Sequence, residues 1–245
     1  MATPPPFPDP RPWQLSVAEV EDLTPHLREI RLTGSDLDDF QYVPGQDLAL
    51  AFVRSDGMTV RRRYTIRRFD RGRRLIDVDV VMHGDGPGMR WAHQVRPGMS
   101  VDAIGPRGKI TIAAHADWHL FAGDATAAPG VFAMLETLPS KVPAHAYLLI
   151  TDAGERQPFD PTSRNHEVEW VYGTTPAVRL AATLGDTERL YGHGHAYLAG
   201  EVNLVNDLKR LLLSTGWSSD QISPKAYWNQ GQANAGNGEP EKRAA

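Results

Sequence analysis

The chain is expected to fold as a small antiparallel β-barrel followed by an α/β domain built on a parallel sheet. Two observations predict this. From Trp13 to about Ile112, short segments of alternating polar and apolar residues are separated by turn residues, the pattern of successive antiparallel strands. After about Ala114, buried apolar runs alternate with segments of helical periodicity, the pattern of strands and crossover helices. The boundary falls at about residue 115, giving a six-stranded barrel over 13–115 and an α/β domain over 116–231. Residues 1–12 are proline-rich and read as an extended arm. Residues 232–245 are rich in Gly, Asn, Glu and Pro and read as a disordered tail.

In chain order, Leu15, Val17 and Val20 mark the first strand. Arg28-Glu29-Ile30-Arg31-Leu32 alternates as a half-buried strand does. Thr33–Asp36 and Val43–Gln46 are turns. Leu48–Val53 is a continuous apolar strand, and Ser55-Asp56-Gly57 turns it into an arginine-rich strand. Arg71-Gly72 turns again, and Ile76, Val78, Val80 and Met82 then share one face. A short helix is expected near Met89–Gln94. Val101–Ile104 and Lys109–Ile112 close the barrel. Trp118–Gly123, Ala146–Ile150, Glu167–Tyr172, His195–Ala199 and Lys225–Trp228 are the expected strands of the second domain. Helices fall between them at Pro129–Leu138, Pro176–Leu184 and Glu201–Ser214.

Composition excludes several chemistries. There is no cysteine, so disulfides, thiolate metal sites, iron–sulfur clusters and thiol catalysis are all absent. The net charge of −4 argues against nucleic acid as a partner. No apolar run is long enough to span a bilayer, and the start lacks the pattern of a signal peptide. A cytoplasmic location is the expectation.

Two stretches carry chemistry. Arg61-Arg62-Arg63-Tyr64-Thr65-Ile66-Arg67-Arg68 surrounds one aromatic and one hydroxyl with arginines. It reads as a solvated basic strand, as a nucleic-acid patch, or as a flavin clamp. In the clamp an arginine takes a phosphate, a ring takes the flavin plane and a hydroxyl takes the flavin edge. The second stretch, His83-Gly84-Asp85-Gly86-Pro87-Gly88-Met89-Arg90-Trp91-Ala92, leads from a strand into a short helix. It is either a plain turn or a backbone cradle for a pyrophosphate at a helix N-terminus.

In order and spacing, several motifs resemble those of siderophore-interacting proteins, flavin-dependent ferric-siderophore reductases of the ferredoxin-reductase-like superfamily. They are Arg62-Arg63-Tyr64-Thr65, the 83–92 segment, Gly123-Asp124-Ala125-Thr126-Ala127-Ala128-Pro129, Gly200-Glu201 and Tyr227-Trp228. The resemblance spans about residues 13–231 and implies that the barrel binds FAD. It implies that Arg62 pairs with a FAD phosphate, that Tyr64 lies against the flavin or its ribityl chain, and that Thr65 hydrogen-bonds the flavin edge near N5. It also implies that His83 touches the cofactor and that the Gly88–Trp91 turn, with Met89, holds the diphosphate. Arg62, Tyr64 and Thr65 are expected to share one strand face, with Arg61 and Arg63 pointing away or flanking the mouth.

The same resemblance places Asp124, Thr126, Gly200 and Glu201 at the nicotinamide donor. Here the family's glutamate is replaced by Ala125, and the arginines it often carries are Asn206 and Asn229. NADH, NADPH and reduced ferredoxin therefore all stand as donors. No catalytic side chain is implied, because the flavin carries the redox chemistry. The implied activity is reduction of a cytoplasmic ferric siderophore, releasing iron as Fe²⁺. The rival readings are a flavin reductase of another acceptor and a non-catalytic ferric-siderophore carrier. Arg61, Arg63 or Lys225 would attract anionic ferric complexes. His193-Gly194-His195 and His115-Asp117-His119 read as ordinary histidines, and no metal site is expected.

Overall fold

The computed structural model describes residues 9–54, 56–160, 163–173, 176–185 and 191–230. Most of both expected tails therefore lies outside the described residues. The chain clusters into two compact units: one runs to Ile112 and includes Pro129–Thr137, and the other takes Ala113–Ala128 and the chain from Leu138 on.

The first unit contains β1 (Arg11–Thr24), β2 (Leu27–Thr33), β3 (Asp47–Val53), β4 (Thr59–Asp70), β5 (Leu75–Val81), a helix α1 (Pro87–Gln94) and β6 (Ser100–Arg107). The strands close into a barrel in the order β1-β2-β5-β4-β3-β6, with antiparallel neighbours. Alternation explains the closure. Ile30 and Leu32, Leu48 and Leu50, Ile66, and Ile76 and Val78 are fully buried and meet in one apolar core. Trp13 fixes the seam between the first and last strands by donating from Nε1 to the Gly105 carbonyl at 2.9 Å.

Two sequence expectations change here. Arg11 and Pro12, assigned to the arm, begin β1 and pair with Gly105 and Ile104. Pro12 fits because a strand end does not need its missing N–H. Lys109–Ile112, expected to be a strand, has no regular structure.

The second unit is a parallel sheet. Its strands are β7 (Trp118–Asp124), β8 (Ala144–Ile150), β9 (His166–Tyr172), β10 (Gly194–Glu201) and β11 (Ile222–Trp228), in the order β11-β10-β7-β8-β9. Helices α3 (Pro176–Gly185) and α4 (Val202–Ser214) cover it, with Leu180, Val205, Leu208 and Leu212 in its core. The helix α2 (Ala128–Leu135) follows β7, and from Pro129 on it clusters with the barrel. No helix among the described residues is long and apolar enough to cross a membrane.

Candidate functional site

Strand β4 presents two chemically different faces, and its register with β3 assigns them. Leu48 pairs with Tyr64 and Leu50 with Arg62, whereas Ala49 pairs with Arg63 and Asp47 with Thr65. Directly paired residues of an antiparallel ladder point to the same side. Arg62 and Tyr64 therefore share one face. Thr65 lies on the other, with Arg61 and Arg63. The expectation that Arg62, Tyr64 and Thr65 share a face is corrected: a period of two separates residue 65 from residues 62 and 64.

The Arg62–Tyr64 face meets the start of α1. A Cβ on Gly88 would collide with the Tyr64 hydroxyl and come within 3.5 Å of Arg62 Cγ. Only glycine lets the helix start lie this close. Pro87 opens the helix, Gly86 precedes it without a side-chain cap, and the first N–H groups lack an intrahelical partner. The Tyr64 ring meets Phe52 edge-on at 6.2 Å, and Trp91 packs on the same Phe52 at 5.0 Å. Arg28 ties the far end of α1 to β2 by donating to the Ala92 carbonyl at 2.6 Å.

Arg62 is the unusual group. Its Nη1 donates to the Arg61 carbonyl at 2.8 Å, but Nη2 is buried with no hydrogen-bond partner. Burial, and the nearby Arg54, hold its guanidinium below the ordinary arginine range. A buried donor without an acceptor is costly, on the order of 1–3 kcal/mol, and calls for an anion. Burial also pushes the Tyr64 phenol up to about 12, so it remains a neutral hydroxyl at physiological pH. An unpaired guanidinium N–H and an uncapped helix start on one face are the kinds of donor that suit a phosphate.

Met89 and Trp91 take part differently than expected. Met89 is buried in the barrel core and Trp91 packs against it, so their side chains serve the fold, and only the backbone of the turn is available to a ligand. His83 is exposed in the loop between β5 and α1.

The opposite face of β4 is an arginine face, and two of its members are already engaged. Arg63 Nε donates to Asp47 Oδ1 at 2.8 Å, and Asp47 is buried. Arg67 holds Glu136 with two hydrogen bonds, at 2.9 and 2.6 Å. Thr65 stands between Arg63 and Arg67 along β4 and pairs with Asp47. Asp47 and Glu136 are neighbours of the arginine face that sequence reasoning missed. Their only sequence signal was an acid placed to neutralise the arginine run.

In the second unit, the expected donor residues come together but spend their polar groups on one another. Asp124 Oδ1 accepts from the Thr126 N–H at 2.9 Å and the Thr126 hydroxyl at 2.5 Å. Its Oδ2 accepts from the Glu201 N–H at 2.7 Å and Trp228 Nε1 at 3.0 Å. Gly200 has φ of +126°, and a Cβ there would strike the Asp124 carboxylate. Glu201 is the N-cap of α4, accepting from the N–H groups of Asn203 and Leu204 at 2.6 and 3.0 Å. Asp124, Thr126, Gly200 and Glu201 thus form a lock across the ends of β7, β10 and β11.

The remaining candidates are also placed. Lys225 Nζ lies 5.4 Å over the Tyr227 ring. His115 approaches His193 at 5.8 Å and His195 at 6.2 Å between ring centroids. Even so, no group of three His, Asp or Glu among the described residues is arranged to hold a metal.

The family model described as siderophore-interacting FAD-binding domain matches residues 50–110, and the one described as siderophore-interacting protein matches residues 116–231. The chain is 27% identical over 179 residues to the ferric vibriobactin reductase ViuB of Vibrio cholerae, covering 71% of this chain and 66% of that protein. It therefore spans just under two thirds of that relative's length. Among solved structures, a siderophore utilization protein from T. fusca superposes with a TM-score of 0.81 at 28% identity, covering 94% of this chain and 97% of that one. The siderophore-interacting protein SipS from Aeromonas hydrophila superposes with a TM-score of 0.76 at 26% identity, covering 92% and 94%.

Proposed function

The chain belongs to the siderophore-interacting protein family, and on that basis we propose that it is an FAD-dependent reductase of ferric siderophores. The observation that carries the proposal is the buried Arg62 Nη2 without a partner, beside a helix start that glycine keeps open. Arg62 takes a phosphate of FAD as a charge-assisted contact, and the backbone of the Gly88–Met89 turn takes its neighbour. The Tyr64 hydroxyl, neutral at physiological pH, lines the same face. Thr65, on the opposite face, is the residue that the family motif assigns to the flavin edge.

FAD held here would supply the redox chemistry, by which two electrons from a donor reduce two Fe³⁺ ions to two Fe²⁺. Hard oxygen chelators hold Fe²⁺ less well, so reduction releases the metal. The protein's own residues bind and orient; no nucleophile or general base is needed. NADH, NADPH and ferredoxin are the candidate donors. The Asp124–Glu201 lock serves them through the shape it gives the strand ends rather than through free carboxylates. Reduction takes place in the cytoplasm, on the imported ferric complex.

The test is an absorbance spectrum of the purified protein, followed by anaerobic titration with NADH and NADPH. The reduced protein is then mixed with a ferric siderophore and an Fe²⁺-specific chelator. A flavin band that bleaches with a donor and returns as the Fe²⁺ chelate forms is the expected result. Reoxidation by quinones but not by ferric siderophores would make the acceptor wrong. A colourless protein that binds ferric siderophore would make it a carrier.

A further inference from the structure

The outward face of the barrel beside Thr65 carries a cluster of buried charges that the proposed reaction does not use. Ile66 of β4 pairs with Val78 of β5, both in the core. Their chain neighbours Thr65 and Asp79 therefore both face away from the core, at the end of this ladder. Asp79 is nine-tenths buried, with Oδ1 unpartnered, and its neighbour across β2 is another acid, Glu29.

The register between β4 and β5 slips between Ile66 and Arg68, so Arg67 is the extra residue of a β-bulge two positions after Thr65. Arg67 is almost buried. It makes both hydrogen bonds to Glu136, lies 3.9 Å from Asp79 Oδ2, and has its guanidinium 5.8 Å from the Phe132 ring centroid. One guanidinium thus stands between two carboxylates.

The charges around Asp79 do not balance. Arg31 contacts Glu19 and Glu29 closely and lies 3.8 Å from Asp77 and 3.6 Å from Glu21. Arg68 reaches Glu136 at 3.5 Å, and Arg73 reaches Glu19 at 2.9 Å. Four guanidiniums, on Arg31, Arg67, Arg68 and Arg73, face six carboxylates, on Glu19, Glu21, Glu29, Asp77, Asp79 and Glu136. Burial, opposed by Arg67 and reinforced by Glu29 and Asp77, pushes Asp79 up to about 7. Burial and Glu29 push Asp77 up to about 6. Glu136 is held below the ordinary range by its bonds to Arg67, against the opposing effect of burial.

We infer that Arg67, Glu136 and Asp79 are positioning residues for Thr65, and that a proton on Asp79 decides whether Arg67 is held by Glu136 alone or shared. With the proton on, Asp79 is neutral, Arg67 belongs to Glu136, and the bulge is fixed. With the proton off, Asp79 competes for the same guanidinium, and the bulge and Thr65 shift with it. The inference rests on the proposed flavin site, where Thr65 meets the flavin edge. It adds a pH response of that edge near neutrality.

The test uses the full chain with its bound flavin and follows visible circular dichroism and absorbance between about pH 5.5 and 8.5, a range that brackets the expected midpoint. The wild type is expected to show a spectral change with a midpoint of about 7. Asp79→Asn should keep flavin and lose the change. Glu136→Gln frees Arg67 for Asp79, favours the ionised form, and should move the midpoint down. A purely structural cluster would alter stability in these variants without moving a spectral midpoint. Titration of the Asp79 carboxyl carbon by NMR in flavin-free protein supplies the same midpoint independently. A flavin band with no pH response, or one that survives in Asp79→Asn, overturns the inference alone. Protein without a flavin band overturns the reading beneath it, and the inference with it.

Discussion

Replacing Arg62 by alanine separates a ligand-binding arginine from a structural one, because the two roles change affinity and stability in opposite ways. In the flavin-free protein the Arg62 Nη2 is buried without a partner. Removing it relieves an unsatisfied donor worth roughly 1–3 kcal/mol, which offsets the packing lost with the side-chain stem. The apoprotein Tm should therefore stay within about 4 °C of wild type. With FAD bound, the same change removes a charged hydrogen bond worth about 1.5–3 kcal/mol, and Kd should rise about 10- to 150-fold. Arg61→Ala is the control. Arg61 is exposed, and Arg62 bonds only to its backbone carbonyl, which alanine keeps. Isothermal titration with FAD and thermal unfolding of the apoprotein supply both readouts. Equal loss of affinity in Arg61→Ala and Arg62→Ala, or a large drop in apoprotein Tm for Arg62→Ala, would refute the assignment.

Other expectations follow from single contacts. Gly88→Ala should destabilise by about 1–3 kcal/mol, because the new methyl meets the Tyr64 hydroxyl, and Tyr64→Phe in the same chain should recover most of the loss in chemical denaturation. Glu201→Ala should cost about 0.5–2 kcal/mol through loss of the α4 cap, while the NADH-to-NADPH preference measured by flavin bleaching stays unchanged. Burial, with smaller contributions from His195, His166 and His115, depresses His119 to about 4 from an ordinary 6.5. Its contribution is full above about pH 6.5 and is lost as the pH falls toward 4, because the unfolded chain takes the proton first. Denaturation at pH 7 and pH 4 should differ by up to about 3 kcal/mol from this group, and His119→Gln should flatten the difference.

The architecture was legible because both halves advertise their periods. The alternation of Ile76, Val78, Val80 and Met82 with Asp77 and Asp79 is a strand pattern whatever its surroundings, and β5 follows it. The leucine and valine stripe of α4 is helical in the same way. Lys109–Ile112 failed because two apolar residues in four do not define a strand, and no partner is left once β6 ends at Arg107. The docking of Pro129–Thr137 with the barrel unit had no local signal at all. Glu136 meets Arg67 there, a pairing between residues far apart in sequence. Within β4, parity was sufficient to divide the arginines but was misapplied to Thr65, whose neighbour Asp47 shows which face it occupies.

Arg62, Asp124 and Glu201 are all charged residues placed in family motifs, and sequence gives no reason to rank them. The structure ranks them by what each still lacks. Asp124 accepts two hydrogen bonds at each oxygen, and Glu201 caps a helix, so a ligand would have to displace bonds that hold strand ends together. Arg62 has a buried donor with nothing to bind, and a ligand would complete it. The free-energy difference is large: an added anion gains a charged hydrogen bond and removes a desolvation penalty at Arg62, whereas at Asp124 it would meet like charge and satisfied acceptors. The same logic bears on the donor. With asparagine at 206 and 229, a 2′-phosphate finds no arginine at either place. Any preference for NADPH over NADH must then arise from other residues, and a nearly equal rate of bleaching by the two donors is the expected outcome.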